Sequence, residues 1–362
     1  MKTLDAFRDL EDALAAVDAD DGPGADDGQA HALAAVLADT HALTRVDPAL
    51  LLADLLADPR GWPDQSWKNY FGNACVTVIR TETLRVDVLY WLQNASTLHK
   101  HVSSGAFLAL SGRRLHLEYD FASAAALGTG VTFGTLSATS RTMMREASVS
   151  PILPSMIHEL YWIEKPSVTV AIRRVPGPAP APTAPGPAPH RPHEFIAPGA
   201  AYLPAAFQET SNIQRWVDGL GMLRRANRGL YLGTLEAALP LVDPIHLVHV
   251  LEELCDNPVD EVTTLLERAD AAREDTVLAR LAPAVPEFRR RKIMSRVPAH
   301  GADGYLLAAL LWAGATGEEL ATLLKAEQVD HPDEFVRVHG ERLTALDPRT
   351  APYVEQARRS LR

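Results

Sequence analysis

His99-Lys100-His101 is followed 57 residues later by His158, at the end of Pro154-Ser155-Met156-Ile157-His158. On a β-strand, residues i and i+2 point to the same face. A His-x-His pair on a strand therefore aims two imidazoles at one point. A third imidazole from a later strand completes a facial ligand set and leaves open positions on a metal ion. Open positions let an ion bind substrate or O2 rather than only hold a fold together. The metal ligands expected here are thus His99, His101 and His158.

Other residues carry weaker signals. Tyr161 and Trp162 follow the third histidine and suit the wall of a pocket, with Tyr161 a candidate catalytic residue; core packing is an equally good account. His116 and Glu118 share a strand face and suit an acid–base pair or an extra ligand, though an ordinary surface or core pair is simpler. His246, His249 and Glu253 share a helix face, where incidental histidines on an amphipathic helix are the simpler account. Phe288-Arg289-Arg290-Arg291-Lys292 could meet an anion or a partner, but reads first as a solvated face.

The elements that must position these residues follow from periodicity. Helical spacing runs over residues 3–18, about 29–43 and 48–57. An acidic, Gly-rich break covers Asp18–Gly28, and Gly61-Trp62-Pro63 ends the helical section. From about residue 74 the pattern changes to short runs rich in β-branched and aromatic residues. These are Cys75–Thr81, Leu84–Leu92, Ser104–Ala109, Arg113–Phe121, Val131–Leu136, Thr142–Val149 and Val168–Arg174. Short strands with turn signals and no helices between them predict an antiparallel β-barrel or sandwich. Pro176–Pro198 holds nine of the 26 prolines and reads as a semi-rigid spacer. Beyond about 205 the pattern is helical, with Asp243-Pro244 as a favourable helix start.

The expected domains are an acidic helical segment (1–60), a barrel (61–175), a Pro-rich linker (176–199) and an all-α domain (200–362). The chain has 362 residues and a net charge of −11. Residues 1–60 hold 13 acids against four bases, so the rest is nearly neutral. That balance argues against nucleic acid as a partner. No run reaches the roughly 18 apolar residues of a membrane span, and no signal peptide is evident. A cytoplasmic location is expected. Two cysteines far apart argue against a disulfide framework and a Cys-based zinc site.

The segment Trp91–Gly112 resembles the first motif of the cupins, a double-stranded β-helix family. Their His-x-His is followed by a Glu and then a turn Gly; here Gly112 stands in register, but Gly105 or Ala106 occupies the Glu position. Leu153–His158 resembles the second motif, with Met156 in place of its Gly. Three histidines without a carboxylate is the pattern of the cysteine-dioxygenase-like branch. The resemblance covers about residues 70–175. It implies that Arg80, on an early strand, binds a substrate carboxylate, and that Pro166 opens the last strand. The branch also carries a Ser-His-Tyr relay; its last two positions fall on Ala171 and Arg173. An inward Arg173 would then favour an anionic substrate.

Together these readings predict a cupin barrel with an all-α C-terminal domain, acting as a mononuclear non-haem iron oxygenase. Fe(II) is the expected metal, although Zn, Ni and Cu also accept three histidines. The expected partners are a small polar substrate, carboxylate-bearing or thiol, and O2, with a homodimer as the expected assembly. The alternatives are a metal-binding cupin sensor that signals through its helical domain, and a redox-neutral metal-dependent isomerase or lyase.

Overall fold

The computed structural model describes all residues except 1, 19–26, 41, 58–61, 64, 66–71, 102, 128–130, 176–192, 198, 203–210 and 274–276. The acidic break at 18–28 and the Pro-rich run therefore lie largely outside the described residues.

Three helices open the chain: α1 (Lys2–Asp18), α2 (Asp27–Asp39) and α3 (Pro48–Ala57). Eleven described strands follow: β1 (Ala74–Arg80), β2 (Leu84–Trp91), β3 (His99–Lys100), β4 (Gly105–Ser111), β5 (Arg114–Leu127), β6 (Val131–Met144), β7 (Val149–Ile152), β8 (Ile157–Trp162), β9 (Ser167–Arg174), β10 (His193–Ile196) and β11 (Ala200–Tyr202). One sheet has the order β1-β2-β9-β4-β7; the others close as a barrel, β10-β11-β6-β5-β8-β3. The rest is helical, from α4 (Ser211–Ala226) through α5 (Arg228–Ala238), α6 (Pro244–Leu254), α7 (Val259–Ala271), α8 (Val277–Leu281), α9 (Val285–Arg296), α10 (Gly301–Trp312), α11 (Gly317–Ala326) and α12 (Pro332–Leu346) to α13 (Ala351–Ser360). The expected class, an antiparallel barrel with a helical C-terminal region, is what the chain adopts.

The chain divides into two compact units. One holds residues 1–96, 100–118 and 140–185; the other holds 97–99, 119–139 and 186–362. In the first unit, period-2 alternation sorts the side chains of the five-stranded sheet. Val86, Val88 and Tyr90 of β2, Ala106, Leu108 and Leu110 of β4, and Val168, Val170 and Ile172 of β9 form one apolar cluster. Phe7, Leu10, Leu14, Leu33, Leu37 and Leu51 of the N-terminal helices complete it. The opposite face puts Leu89, Trp91, Phe107 and Ala171 together with Met144, Ile152, Leu160 and Trp162. In the second unit, Val131 and Phe133 of β6 and Ile196 and Ala200 cluster with Leu247, Leu251, Leu266, Leu278 and other helical side chains.

The elements differ from the sequence reading in three places. The described helices α1, α2 and α3 share a core with the strands rather than forming a separate acidic segment. Residues 193–196 and 200–202, read as linker and start of the helical domain, are strands β10 and β11, with Ala200 opposite Phe133 and Tyr202 opposite Val131. Val131–Leu136 and Thr142–Val149, read as two strands, are one long β6 that ends at Met144. The turn falls at 145–148 instead. There Ala147 has φ 64°, and Ser148 Oγ accepts from the Arg145 N–H at 2.9 Å. Nothing between 136 and 142 is a strong breaker, so the strand runs on.

Candidate metal centre

His99, His101 and His158 each bring one ring nitrogen within 4.8 Å of the others. They form the only group of three or more metal-capable side chains among the described residues. His99 sits on the two-residue strand β3, with Nδ1 2.9 Å from the Thr97 carbonyl oxygen. His101 follows that strand, and its backbone N–H bonds the Met156 carbonyl at 3.2 Å. His158, on β8, is only 3 % exposed. Its Nε2 lies 2.8 Å from His101 Nε2.

That spacing fits a shared ion. Two nitrogens about 2.1 Å from one metal and at right angles to each other lie about 3 Å apart. Neutral imidazoles suit Fe(II), Zn, Ni and Cu alike, so the donor set admits a metal without selecting one.

The missing carboxylate ligand has a steric cause. A Cβ at Gly105 would sit 2.4 Å from the Ile172 carbonyl oxygen. No side chain fits there while β4 and β9 stay paired, Gly105 opposite Arg173. Ala106, the other position at which the cupin-like motif would carry a Glu, points into the apolar cluster under the N-terminal helices. Among the described residues the cluster is all-histidine. Gly112 has φ +82°, a turn conformation that glycine adopts without strain.

His158 has a second neighbour that sequence reasoning set aside. His116 is 2 % exposed, and its Nε2 lies 2.8 Å from His158 Nδ1. His116 Nδ1 is in turn 3.7 Å from Glu118 Oε1. Burial pushes the Glu118 carboxyl above its ordinary range. The Phe107 ring stands edge-on to His116 at 5.6 Å and tilted to His158 at 6.3 Å. The i, i+2 spacing of His116 and Glu118 was the visible signal. What the sequence lacked was the partner across the strands.

The remaining candidates fare differently. Tyr161 is fully buried, but it is three residues from His158, so strand alternation turns it to the opposite face. Alternation thus agrees with the core-packing account of Tyr161 rather than with a place beside the three imidazoles. Trp162 does share the His158 face, and it stacks on Trp91 with ring centroids 4.2 Å apart. Arg80 is exposed at the end of β1. Arg173 lies on the same sheet face as Ala171 and Phe107, and its guanidinium donates to Asp87, which is 0 % exposed. Arg85 Nε donates to the same carboxylate at 2.8 Å, and Thr77 Oγ1 at 2.7 Å. Two guanidiniums on one carboxylate leave one net positive charge at this end of the sheet.

Both C-terminal candidates are engaged by neighbours in their own unit. Glu253 accepts from Arg224 at 2.6 Å, and His246 Nδ1 lies 2.5 Å from Asp243, the residue that also caps α6 by accepting the His246 N–H at 3.0 Å. The basic run on α9 is engaged within its own unit rather than solvated. Arg289 donates to the Cys255 carbonyl at 2.9 Å, Arg291 to Tyr119 Oη at 2.7 Å, and Lys292 lies 3.1 Å from Asp256.

A fully buried arginine closes the far side of β5. Arg114 donates to the carbonyls of Ser111 (2.7 Å), Gly112 (3.2 Å) and Val168 (3.0 Å), and to Thr169 Oγ1. Burial lowers its pKa to about 9. These carbonyls take the place of a counter-ion and fasten the β4–β5 turn to β9.

No family model matches the chain, and no curated protein matches it. Solved structures do show similarity. The hydroquinone 1,2-dioxygenase of Sphingomonas sp. TTNP3, with 4-hydroxybenzoate bound, is 13 % identical over 30 % of this chain and 70 % of its own, with a TM-score of 0.23. An RmlC-like cupin from Shewanella frigidimarina is 9 % identical over 33 % and 92 %, TM-score 0.22. Peruvianin-I, a cysteine peptidase from Thevetia peruviana latex, is 15 % identical over 36 % and 80 %, TM-score 0.23. Similarity at this level carries no functional argument, and fold in any case does not fix function.

Proposed function

We propose that this chain is a cupin-type mononuclear metalloenzyme of the dioxygenase class, its metal held by His99, His101 and His158. The observation that carries the reading is the convergence of three imidazoles at a point where the sheet excludes a carboxylate. Three neutral ligands leave positions for substrate and O2; an Fe(II) ion there would supply O2 activation. The substrate class is a small polar molecule with an anionic group. Arg173 and Arg85, sharing the buried Asp87, supply the net positive charge that would orient it, in preference to the exposed Arg80.

A second reading has an observation of its own. Tyr161 faces away from His158, and Arg173 is already engaged by Asp87. A metal-binding module without O2 chemistry needs neither residue.

Metal content of protein purified without oxygen tests the site. About one iron per chain, lost in His99→Ala, His101→Ala and His158→Ala, is the expected result. Substrate-dependent O2 uptake by the iron form, screened over carboxylate-bearing and thiol compounds, separates the enzyme from the binding module. A folded wild type that takes up no metal on reconstitution sinks both readings.

A further inference from the structure

The imidazole of His158 is engaged at both ring nitrogens. Nε2 faces His101 at 2.8 Å, and Nδ1 faces His116 at 2.8 Å. A neutral imidazole has one N–H and one lone pair. His158 can therefore offer Nε2 to a metal only as the Nδ1–H tautomer. Its Nδ1 must then be a donor, and His116 Nε2 must be the acceptor.

The state of His116 is set from its other side. Its Nδ1 lies 3.7 Å from Glu118 Oε1. A carboxylate at that distance favours the N–H on the facing nitrogen, leaving Nε2 of His116 with its lone pair toward His158. The opposite polarity would put the N–H of His116 against His158 Nδ1 and the N–H of His158 at Nε2, where an ion would have to bind. Burial of His116 and His158 in the company of Phe107 keeps water from supplying an alternative partner cheaply.

We propose that His116 and Glu118 are positioning residues that hold His158 in its metal-competent tautomer. The inference rests on the three-histidine reading above. It adds residues from β5 that neither the spacing of the motif nor the ligand set identifies. A partner of this kind typically changes metal affinity by about 10–100-fold when removed.

The test uses the full chain and Co2+ as the probe, titrated without oxygen against a competing chelator. His116→Leu is expected to weaken Co2+ binding by about 10–100-fold with an unchanged far-ultraviolet circular dichroism spectrum. His116→Gln, whose amide oxygen can still accept from His158, recovers most of that loss. Glu118→Gln, at a partly exposed position, carries the test should His116→Leu not fold. Imidazole 15N chemical shifts of the metal-free protein read the tautomer directly. His158, assigned by its loss in His158→Ala, is expected as Nδ1–H in wild type and shifted toward Nε2–H in Glu118→Gln. Wild-type affinity in His116→Leu together with an unmoved tautomer in Glu118→Gln overturns the proposal, while loss of Co2+ in His158→Ala leaves the metal centre standing. Co2+ binding that survives His158→Ala overturns both.

Discussion

Adding a methyl group at Gly105 would place it 2.4 Å from the Ile172 carbonyl oxygen, a contact that only separation of β4 from β9 relieves. Gly105→Ala is therefore expected to destabilise the chain by about 3 kcal/mol, read as a lower urea midpoint with an unchanged slope. A Glu at 105, restoring the carboxylate of the related motif, should fail to fold rather than gain a ligand. The sequence showed the His-x-His pair and the absent Glu, because both are spacing facts. It did not show why the Glu is absent, which depends on a strand 67 positions away. Tyr161 shows the limit of sequence proximity: three residues from His158 on one strand, it differs from it in parity, which agrees with the core-packing account. His116 was legible as a strand residue but not as a neighbour of His158, since register between β5 and β8 leaves no trace in either segment alone.

At the scale of elements, Asp87 joins three strands. It lies on β2, accepts from Thr77 of β1, and accepts from Arg173 of β9. A buried carboxylate with two cationic partners is costly to remove, because the half-buried guanidiniums of Arg85 and Arg173 and the buried Thr77 hydroxyl all lose their acceptor. Asp87→Ala is expected to lower stability by about 3–5 kcal/mol, measured by denaturant unfolding. Ala at 87 should cost more than Arg85→Ala, whose guanidinium is partly exposed. The strand Leu84–Trp91 was evident from its β-branched and aromatic residues. An acid inside such a run was itself a sign that a cation must face it, and Arg173 was the available one. The helices were the most legible elements, as their apolar stripes span several turns. The short β10, four residues beyond a proline run, was read as linker because so brief a segment gives no periodicity to count.

At the scale of the whole molecule, no described helix is long and apolar enough to cross a membrane. The exposed acids Asp9, Glu11 and Asp12 of α1 and Asp27 and Asp39 of α2 lie on helices whose other face is core. Phe7, Leu10, Leu33, Leu37 and Leu51 cover Val76, Val86, Leu108 and Val170. Removing residues 1–60 would uncover a contiguous apolar sheet face, larger than soluble chains tolerate. The shortened protein is expected to elute as an aggregate or to be insoluble, by size-exclusion chromatography, while a charge-neutralised full-length variant stays in solution. The buried stripe makes these helices a structural cover.

At Val131–Phe133 the edge of β6 is covered by β11, which β10 backs in turn. Both arrive after the proline-rich run, some sixty residues downstream of the strand they protect. A ribosome-bound chain that has emerged only as far as residue 190 thus displays β6 with an unpaired row of amides and carbonyls, open to any other extended chain. Closure must wait for the segment beyond the prolines. Translational pausing within that run would lengthen the interval of exposure, and chaperone demand should peak there.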